Sequence, residues 1–533
     1  MRILGISPAH DSSVAIINDG KLECFLKEER YSRIKRDKLP WKAIEHLYGK
    51  IDKIVYTTPT VSTQDAMFKA ILAKKFECPI IDMSDQHHLC HASLAFYNSE
   101  FGKALVFVID RNGSVINNVM REAETVYQVE YPYEFKTLHK NYWVFNRGAD
   151  ADSETLKYST TADSYMSVVK VYETATTLIG QNPLENGKTM GLAAYGKDTQ
   201  HKQFFVDGRP NDTLFVHDYF VTPDQTTTLM REHIGKVVRD VPETDYEFYA
   251  NHAYQVQKQT QEYVLEMIKH WVNKTGIKEV CITGGYALNV VANSFYVENL
   301  PDVKFYFEPM ADDSGNSIGA AMHQYRVDTG SHAMYGIKTQ FIHGLSSKLK
   351  NIGEPCLFHD MISLIEQQKT VAVFYGFAEG GPRALGNRSI LFDARNPNAK
   401  HIVNRIKKRE WYRPFAATVL EEDFKEYFHT LEVENSGYMT MSFKVKNPDL
   451  IPGVVHVDNS CRVQTVNSYD ILGLILTQFK KNTGCGVLLN TSFNMAGEPL
   501  VETQDDAVNT FNNSDIDVLW FPEIGRYLKK DTL

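Results

Sequence analysis

The chain has 533 residues, of which 43% are hydrophobic, and this length and composition predict a folded protein of more than one domain. Its formal net charge of -9 argues against a protein that coats nucleic acid in bulk, although a local basic pocket for a small anion stays open. Seven scattered cysteines without a C-x-x-C pair favour neither a disulfide framework nor a thiolate zinc site, so we expect a cytoplasmic protein. We find no signal peptide and no apolar run long enough to span a bilayer, and we expect no membrane partner.

The first residues predict antiparallel strands at Ile3–Ser7 and Ser13–Ile17, followed by a tight turn at 18–20. The stretch around 140–165 has weak periodicity and receives no predicted structure. Further predicted elements are, in chain order, the strands Lys53–Thr57 and Ala104–Asp110, the amphipathic helix Tyr254–Val272, and the buried strands Glu279–Ile282, Val371–Tyr375 and Gly486–Leu489. Strand, glycine turn and helix recur in the N-terminal part, which predicts two related α/β lobes.

A shift in composition marks a domain boundary. Residues 339–355 have little periodic apolar pattern and contain Gly344, two serines and the run Lys348-Leu349-Lys350. We therefore predict an N-terminal domain of residues 1–345 and a C-terminal domain of residues 356–533, which carries the densest basic motifs.

Two histidines and two carboxylates suggest a metal site. His87 and His91 are four residues apart, so on a helix both imidazoles lie on one face, whereas His88 points elsewhere. Asp110 ends an apolar strand and Asp313 lies in a turn before a helix rich in small residues, and such strand ends are where α/β folds bind ligands. The histidine pair alone is explained as well by packing. With the two carboxylates, the set favours Fe(II), Mn(II) or Zn(II), and ligand type does not choose among them.

Two glycine turns enter helices beside amide or ammonium donors, and both could hold a nucleotide. A plain helix-entry turn explains either one taken alone. The residues concerned are Lys188 and Gly191 in the first turn, and Gly284, Gly285, Asn289 and Asn293 in the second.

The most informative stretch is the glycine-rich turn Glu379–Ser389. Glycines let backbone N–H groups approach a ligand, and Arg383 and Arg388 each offer a planar fork of donors. Two arginines five residues apart favour a phosphate site over simple pairing with surface acids. Further donors in the C-terminal domain are Lys408, Arg413, Arg462, Ser492 and Asn494.

These motifs resemble, in this order, the O-carbamoyltransferase family that includes the nodulation-factor, cephamycin and tobramycin carbamoyltransferases. The resemblance runs nearly end to end. It is carried by His10-Asp11-Ser12-Ser13, Glu28-Glu29-Arg30, residues 86–91, 187–193, 284–289 and 381–389. It implies a mixed α/β fold, with an actin-like, two-lobed N-terminal domain similar to the tRNA threonylcarbamoyl-transfer proteins and a C-terminal domain similar to their acyl-adenylate-forming partner.

The resemblance also implies two linked reactions. ATP with Mg2+ and carbamoyl phosphate form carbamoyl adenylate in the C-terminal domain, and an acceptor hydroxyl then attacks its carbonyl at the N-terminal metal site, where Fe2+ is the expected ion. The expected catalytic residues are His10 as base, Arg383 and Arg388. Carbamoyl phosphate and ATP are expected to contact Arg383, Arg388, Lys408, Arg413, Arg462, Ser492 and Asn494. The adenylate is expected at Lys188, Gly191, Gly284, Gly285, Asn289 and Asn293, and the metal at His87, His91, Asp110 and Asp313.

The sequence departs from the family pattern at two points. Asp110 is followed by Arg111-Asn112-Gly113-Ser114, where the family typically continues with glycine. Arg111 either meets the adenylate phosphate or reshapes the entrance for the acceptor. The segment Ile342-His343-Gly344 lacks an expected proline, which bears on domain packing.

Two other functions compete with this interpretation: an actin-like metabolite kinase, and a non-catalytic nucleotide-binding switch. The kinase leaves the histidine motif and the basic C-terminal domain unexplained. The hydrogenase maturation protein that makes the cyanide ligand shares the domains, but it needs an acylphosphatase domain and zinc-finger cysteines that this chain lacks. The acceptor stays open among a sugar, another secondary metabolite and a modified nucleoside, and so does the oligomeric state, a homodimer included.

Overall fold

The structure is a computed structural model, and it describes residues 1–59, 63–117, 120–144, 167–199, 204–206, 209–210, 241–333, 341–344 and 349–530. The chain divides into two compact units. Unit 1 contains Met1–Ala9, Val14–Glu23 and Tyr48–Ile337, and unit 2 contains His10–Ser13, Cys24–Leu47 and Lys338–Leu533. The functional domains 1–345 and 356–533 stay a prediction. Most of the stretch 140–165 and part of the linker 339–355 lie outside the described residues.

The strands are β1 (Arg2–Ser7), β2 (Ser13–Asn18), β3 (Lys21–Lys27), β4 (Lys53–Tyr56), β5 (Ile80–Asp82), β6 (Lys103–Ile109), β7 (Val115–Ile116), β8 (Met120–Glu130), β9 (Glu134–Val144), β10 (Phe205–Val206), β11 (Arg209–Pro210), β12 (Glu279–Thr283), β13 (Lys304–Phe307), β14 (Phe341–His343), β15 (Glu354–Pro355), β16 (Val371–Phe374), β17 (Ala378–Glu379), β18 (Arg388–Asp393), β19 (Ala416–Leu420), β20 (Phe428–His429), β21 (Ser442–Val445), β22 (Ser460–Val466), β23 (Val487–Ser492), β24 (Val518–Phe521) and β25 (Arg526–Lys529).

The α-helices are α1 (Glu28–Ser32), α2 (Trp41–Glu45), α3 (Thr63–Phe76), α4 (His87–Ser99), α5 (Val168–Leu178), α6 (Asn186–Ala193), α7 (Glu247–Thr275), α8 (Val290–Asn299), α9 (Asn316–Thr329), α10 (Phe358–Glu366), α11 (Ala399–Lys407), α12 (Phe424–Tyr427), α13 (Ile471–Thr483) and α14 (Gln504–Asn512). The predicted helix Tyr254–Val272 lies inside α7, and the other strands predicted from the sequence agree with observed strands to within one or two residues, except that Gly486–Leu489 ends three residues before the end of β23. No helix in the described ranges is long and apolar enough to cross a membrane.

The described part of unit 1 contains two larger sheets with helices packed between them, and the short antiparallel pair β10-β11. In the first sheet β1, β4 and β5 run parallel, with β2 on the other side of β1. In the second, β6, β12 and β13 run parallel and β8 pairs antiparallel with β6. Helix α9 packs on β1 and α4, and α4 packs on β6 and β12. The helices approach closely because Gly319 has no side chain: a Cβ there would lie 2.0 Å from the carbonyl oxygen of Cys90.

Unit 2 is built on a ten-stranded sheet in the order β15-β25-β24-β16-β18-β23-β19-β22-β21-β20. Two neighbouring pairs are parallel, β16 with β24 and β19 with β22, and the other neighbouring pairs of this sheet are antiparallel. Its core includes Phe374, Ile390, Phe493 and Phe521, all nearly inaccessible to solvent. Arg33 from the early segment Cys24–Leu47 donates to the carbonyl oxygens of Leu500 at 2.7 Å and Pro499 at 3.1 Å. The mixed α/β class is confirmed, and unit 1 has the two sheets that a two-lobed domain requires.

Candidate functional site

Four side chains of unit 1 converge where two helices begin and a strand ends. His87 and His91 lie one turn apart at the start of α4 and so face the same way. Asp110 directly follows β6, and Asp313 begins the short 3₁₀ helix that leads into α9. Because α4 packs on both β6 and α9, the four side chains meet in one place, which we call the His2Asp2 cluster.

The His2Asp2 cluster has the geometry and chemistry of a metal site. One ligand atom from each residue lies within 4.8 Å of those of the other three. The Nε2 of His87 is 3.7 Å from Oδ2 of Asp110 and 3.4 Å from Oδ1 of Asp313, and the Nε2 of His91 is also 3.4 Å from that Oδ1. All four residues are buried, and neither ring nitrogen of His91 has a hydrogen-bond partner among the described residues. Two imidazoles and two carboxylates fit a borderline divalent ion.

Electrostatics in the cluster are dominated by the two carboxylates. Burial alone would lower the pKa of His87, but the charges of Asp313 and Asp110 and hydrogen bonds to both raise it to about 10. Burial and the charge of Asp313 act to raise the pKa of Asp110, but its hydrogen bond with His87 and the two histidine charges hold it below its ordinary range. Positive charge is therefore favoured at this position, and a divalent ion would displace the proton of His87.

His88 faces away from the cluster, as the spacing predicts. Its Nδ1 lies 2.8 Å from the Oγ1 of Thr125 on β8. Burial lowers the pKa of His88 to about 4, despite the negative charges of Glu122 and Asp110. This imidazole is therefore neutral at physiological pH and belongs to the packing between α4 and β8.

The second glycine turn positions Asp110. The backbone N–H of Gly285 donates to its Oδ1 at 3.1 Å, and that of Asn112 donates to its Oδ2 at 3.2 Å. Strand β12 runs parallel to β6, so its carboxyl end brings the turn beside Asp110. Gly284 has a φ of +82°, and a Cβ there would lie 2.5 Å from the carbonyl oxygen of Ile109. Only glycine fits this close approach, so the packing against Ile109 explains the glycine at this position without a bound nucleotide.

The two asparagines of this turn also have protein partners. The Oδ1 of Asn289 accepts from the N–H of Ala292 at 3.1 Å, which makes it the N-cap of α8, and its Nδ2 donates to the Oε1 of Gln257 at 3.0 Å. The Nδ2 of Asn293 donates to the carbonyl oxygen of Ala287 at 2.7 Å. These contacts hold the turn and the helix that follows it.

In the first glycine turn, Lys188 and Gly191 lie within α6. The Nζ of Lys188 lies 2.9 Å from the Oε2 of Glu185 and donates to the Oε1 of Gln181 at 3.2 Å. Gly191 is buried in the helix. The ammonium group is thus held against neighbours on its own segment.

In unit 2, the last turn of α11 meets the end of β23. The buried Lys407 donates through Nζ to the carbonyl oxygen and to the Oγ of Ser492, the latter at 3.1 Å, and lies 3.2 Å from the Oδ1 of Asn494. Burial lowers the pKa of Lys407 well below its ordinary value, and the positive charges of Arg409 and Arg413 lower it further. A buried ammonium beside other cations is unfavourable until an anion joins it.

Three arginines are also buried near other cations. Burial lowers the pKa of Arg383 well below its ordinary value, and the charges of Arg462 and Arg413 add to the effect. Burial likewise lowers the pKa of Arg409, and Arg413 and Arg462 lower it further. Burial is the main cause that lowers the pKa of Arg462 to about 10. We call this set the cation cluster: Arg383, Lys407, Arg409, Arg413 and Arg462.

The sheet explains why these chain-distant residues meet. Ala416, the first residue of β19, pairs with Arg462 in β22 and with Asn490 in β23. The Nε2 of Gln464 donates to the carbonyl oxygen of Leu385 at 2.6 Å, which holds the glycine-rich turn against β22. The cation cluster therefore forms beside the strand ends, where β19 and β22 begin and β23 ends.

The side chain of Glu379 binds backbone N–H groups of the glycine-rich turn. The Oε1 of the buried Glu379 accepts from the backbone N–H groups of Leu385 at 2.8 Å, Asn387 at 3.0 Å and Arg388 at 3.2 Å. The backbone donors that the sequence assigns to a substrate phosphate are thus bound to a carboxylate of the chain itself. The turn contributes Arg383 to the cation cluster through its side chain.

Arg388 faces a different set of groups. Its Nη1 donates to the carbonyl oxygen of Tyr375 at 2.7 Å and its Nη2 to that of Gly376 at 3.0 Å. Burial lowers its pKa, and the negative charges of Glu502 and Glu379 partly offset that effect. These contacts give Arg388 a role in holding the turn between β16 and β18.

Comparison with known proteins identifies the family. Residues 58–322 match the family described as carbamoyltransferase N-terminus, and residues 362–527 match the one described as carbamoyltransferase C-terminus. The chain belongs to the carbamoyltransferase family. It is therefore an enzyme, and the carbamoyltransferase predicted from the sequence motifs is confirmed at this level.

Its relatives cover most of the chain. An uncharacterized protein of Methanocaldococcus jannaschii is 28% identical, and the match covers 99% of this carbamoyltransferase and 99% of that protein. The nodulation protein NolNO of Sinorhizobium fredii is 28% identical over 98% of this chain and 79% of NolNO. Among solved structures, full-length HypF in its phosphate- and nucleotide-bound form is 12% identical, with a TM-score of 0.39 over 62% of this chain and 56% of that chain.

The carbamoyltransferase structure brings some of the predicted site residues together. It brings His87, His91, Asp110 and Asp313 together in unit 1. In unit 2 it brings Ser492, Asn494 and Arg413 close to Lys407, and Arg383 and Arg462 close to Arg413. Lys408 is exposed, with the left-handed φ of 51° that ends α11. His10 packs in unit 2, with its Nε2 3.1 Å from Oδ2 of Asp11 and its side chain 32% exposed.

The sequence points to the cationic run 407–415, but the predicted site residues from it are Lys408 and Arg413 and do not include Lys407 and Arg409 of the carbamoyltransferase cation cluster. A signal for Lys407 was present, because it follows the buried Val403 by four residues and so shares its face of α11. Arg409 gave no such signal, since it lies beyond the helix, where its Nε donates to the Oδ1 of Asn404 at 2.7 Å.

Proposed function

We propose that this carbamoyltransferase is ATP-dependent, forms carbamoyl adenylate at the cation cluster of unit 2, and transfers the carbamoyl group to an acceptor hydroxyl at the His2Asp2 cluster of unit 1. The observation that carries the proposal is the buried Lys407, which lies beside Ser492 and Asn494 and close to Arg409 and Arg413. Arg383 and Arg462 extend this positive charge through Arg413. Bringing two anionic substrates together requires such a concentration of fixed positive charge.

Atom balance defines the activation steps. A carbamoyl adenylate contains one phosphate, which comes from ATP, so carbamoyl phosphate must lose its own. Water cleaves carbamoyl phosphate to carbamate and inorganic phosphate. A carbamate oxygen then attacks the α-phosphorus of ATP, and pyrophosphate leaves with the electron pair of the broken P–O bond. Mg2+ accompanies ATP, and the cation cluster offsets the repulsion between carbamate and triphosphate.

The transfer step places different demands on the protein. The acceptor oxygen attacks the carbamoyl carbon, AMP leaves, and the hydroxyl proton passes to a base. His10 is our candidate base, and Asp11, 3.1 Å from its Nε2, orients the ring. A divalent ion held by His87, His91, Asp110 and Asp313, for which Fe2+ is our first candidate, would supply Lewis-acid polarisation. The acceptor is a small molecule with a hydroxyl group, such as a sugar, a secondary metabolite or a modified nucleoside.

The proposal is tested without knowledge of the acceptor. The purified chain is incubated with ATP, Mg2+ and carbamoyl phosphate, and pyrophosphate, inorganic phosphate and carbamoyl adenylate are measured. We expect pyrophosphate release that depends on carbamoyl phosphate, a loss of about 100-fold in Arg383→Gln, and no change in Lys481→Gln, which alters an exposed lysine on α13. Absence of carbamoyl adenylate from wild-type protein would sink the proposal. Mass spectrometry of extract treated with the same mixture then identifies the acceptor by a carbamoyl mass gain.

A further inference from the structure

A four-residue loop, Arg111–Ser114, follows Asp110 and contacts two of the candidate metal ligands, Asp110 after β6 and His87 on α4. Its Asn112 donates through the backbone N–H to the Oδ2 of Asp110 at 3.2 Å. Its Ser114 accepts at Oγ from the backbone N–H of His87 at 3.0 Å. A shift of this loop would therefore disturb one ligand from the strand and one from the helix together.

The loop is held from two sides. On one side, Gly113 donates to the carbonyl oxygen of Glu122 at 2.9 Å, and Ser114 donates through N–H to the Oε2 of Glu122 at 3.1 Å. On the other side, the Nε of Arg111 donates to the Oε1 of Glu173 on α5. The loop is thus fixed to β8 through Glu122 and to α5 through Glu173.

Glu173 binds a second cation as well. It is buried, and its Oε2 accepts from the Nζ of Lys170, also buried, at 3.0 Å. Burial lowers the pKa of Lys170 to about 8, while the charge of Glu173 raises it and that of Arg111 lowers it. The carboxylate therefore holds two cations that repel each other, and without it Arg111 would be pushed away from α5.

We propose that Glu173 is a positioning residue for the His2Asp2 cluster: through Arg111 it fixes the loop that orients Asp110 and His87. The inference rests on the proposed metal site. Arg111 occupies the position where the family resemblance implies glycine, so this contact departs from the family pattern. The arginine therefore serves as an anchor for the ligand loop through its contact with α5.

Metal affinity is the direct readout. Full-length protein is stripped with a chelator and titrated with Co2+, whose visible absorption reports the number and geometry of its ligands. We expect Glu173→Gln and Arg111→Gln each to weaken Co2+ binding about tenfold or more, as for other groups that orient metal ligands. The double variant Arg111→Glu with Glu173→Arg restores part of the loss. Glu266→Gln is the matched control, because it removes an exposed carboxylate that pairs with Lys269 on α7. The Co2+ affinity of this control variant should equal that of the wild type.

The outcomes separate the two hypotheses. If wild-type protein does not bind Co2+, the proposed metal site fails and Glu173 has no ligand to position. If wild-type protein binds Co2+ and both single variants bind it equally well with an unchanged spectrum, the positioning role is wrong. Should Glu173→Gln fail to fold, Arg111→Gln decides the question, because it keeps the buried carboxylate paired with Lys170 and alters a side chain that is 31% exposed.

Discussion

The Nζ of Lys407 lies 3.1 Å from the Oγ of Ser492, where α11 ends beside β23. The adjacent Lys408 is exposed. We expect Lys407→Met to lower carbamoyl-phosphate-dependent pyrophosphate release by about 100-fold, because it removes a buried charge from the cation cluster. The same change at Lys408 should lower it less than about threefold, as expected for an exposed charge that is screened by water and salt.

Thermal unfolding separates this effect from misfolding. Burial and neighbouring cations already disfavour the charge of Lys407, so Lys407→Met should leave the melting temperature unchanged or raised. An equal loss of pyrophosphate release in the Lys407 and Lys408 variants would contradict the assignment.

Glu379 is expected to stabilise the glycine-rich turn. Its Oε1 accepts from three backbone N–H groups, which Glu379→Ala would leave buried without that acceptor. We expect this variant to lose about 3 kcal/mol or more of unfolding free energy, and Glu379→Gln, which keeps an acceptor oxygen, to lose less. Urea unfolding measures both, with Glu422→Ala, at an exposed carboxylate, as the unchanged control. Unchanged stability with tighter phosphate binding would instead assign these N–H groups to substrate.

Removal of the divalent ion should separate the two reactions. The His2Asp2 cluster lies in unit 1, whereas the cation cluster lies in unit 2. After chelation, removal of the chelator and addition of Mg2+, we expect pyrophosphate release to remain within about twofold of its original rate, since adenylate formation uses the cation cluster. Transfer to acceptor should fall at least about 100-fold and return with added Fe2+. Parallel loss of both reactions would place the ion in activation as well.

Glu308 should make stability depend on pH. Burial raises its pKa from 4.5 to about 7, although Asn98, Met310 and Tyr306 donate hydrogen bonds to it, and Asp312 adds a small raising effect. Between these two values the folded chain keeps a proton that the unfolded chain has lost. The contribution of Glu308 to the free energy of unfolding is therefore greatest below pH 4.5. It falls by at most about 3 kcal/mol as the pH rises to 7.

The variant Glu308→Gln isolates that contribution. It remains uncharged at all these pH values, so the decline in the urea midpoint between pH 5 and pH 8 should be smaller than in the wild type. Other buried acids such as Glu124, whose pKa burial also raises to about 7, contribute equally to both proteins and cancel in the comparison. Parallel pH profiles for the two proteins would show that Glu308 does not titrate in this range.

The sequence predicts the His2Asp2 cluster better than it predicts the contacts of the glycine-rich turn, for a physical reason. His87 and His91 are related by helix geometry, and Asp110 by its position after an apolar strand, so local patterns suffice. The backbone N–H groups of the glycine-rich turn are different, because their partner is the carboxylate of Glu379. Which acid occupies such a turn depends on how the chain folds back, and no local spacing encodes it.

The same limit applies to the division of the chain. The segment Cys24–Leu47 packs in unit 2 although it lies more than three hundred residues before the sheet of that unit. Contacts such as Arg33 with the carbonyl oxygen of Leu500 depend on that packing and leave no periodic signal in either segment. Composition and periodicity therefore predicted some of the helices and strands, but not the packing of the segment Cys24–Leu47 in unit 2.

Asn289 distinguishes a structural role from nucleotide binding. Its Oδ1 caps α8 by accepting from the N–H of Ala292, a contact that aspartate can also make. We expect Asn289→Ala to lose about 1 kcal/mol of stability or more. Asn289→Asp keeps the cap but loses the hydrogen bond from Nδ2 to Gln257, so it should also lose stability, while the KM for ATP and carbamoyl phosphate and the rate of carbamoyl transfer stay unchanged in the folded protein. If Asn289 instead contacts the adenylate, the new carboxylate would repel the phosphate, and carbamoyl transfer by folded Asn289→Asp would fall about tenfold or more. Steady-state kinetics and urea unfolding of the two variants decide between these roles.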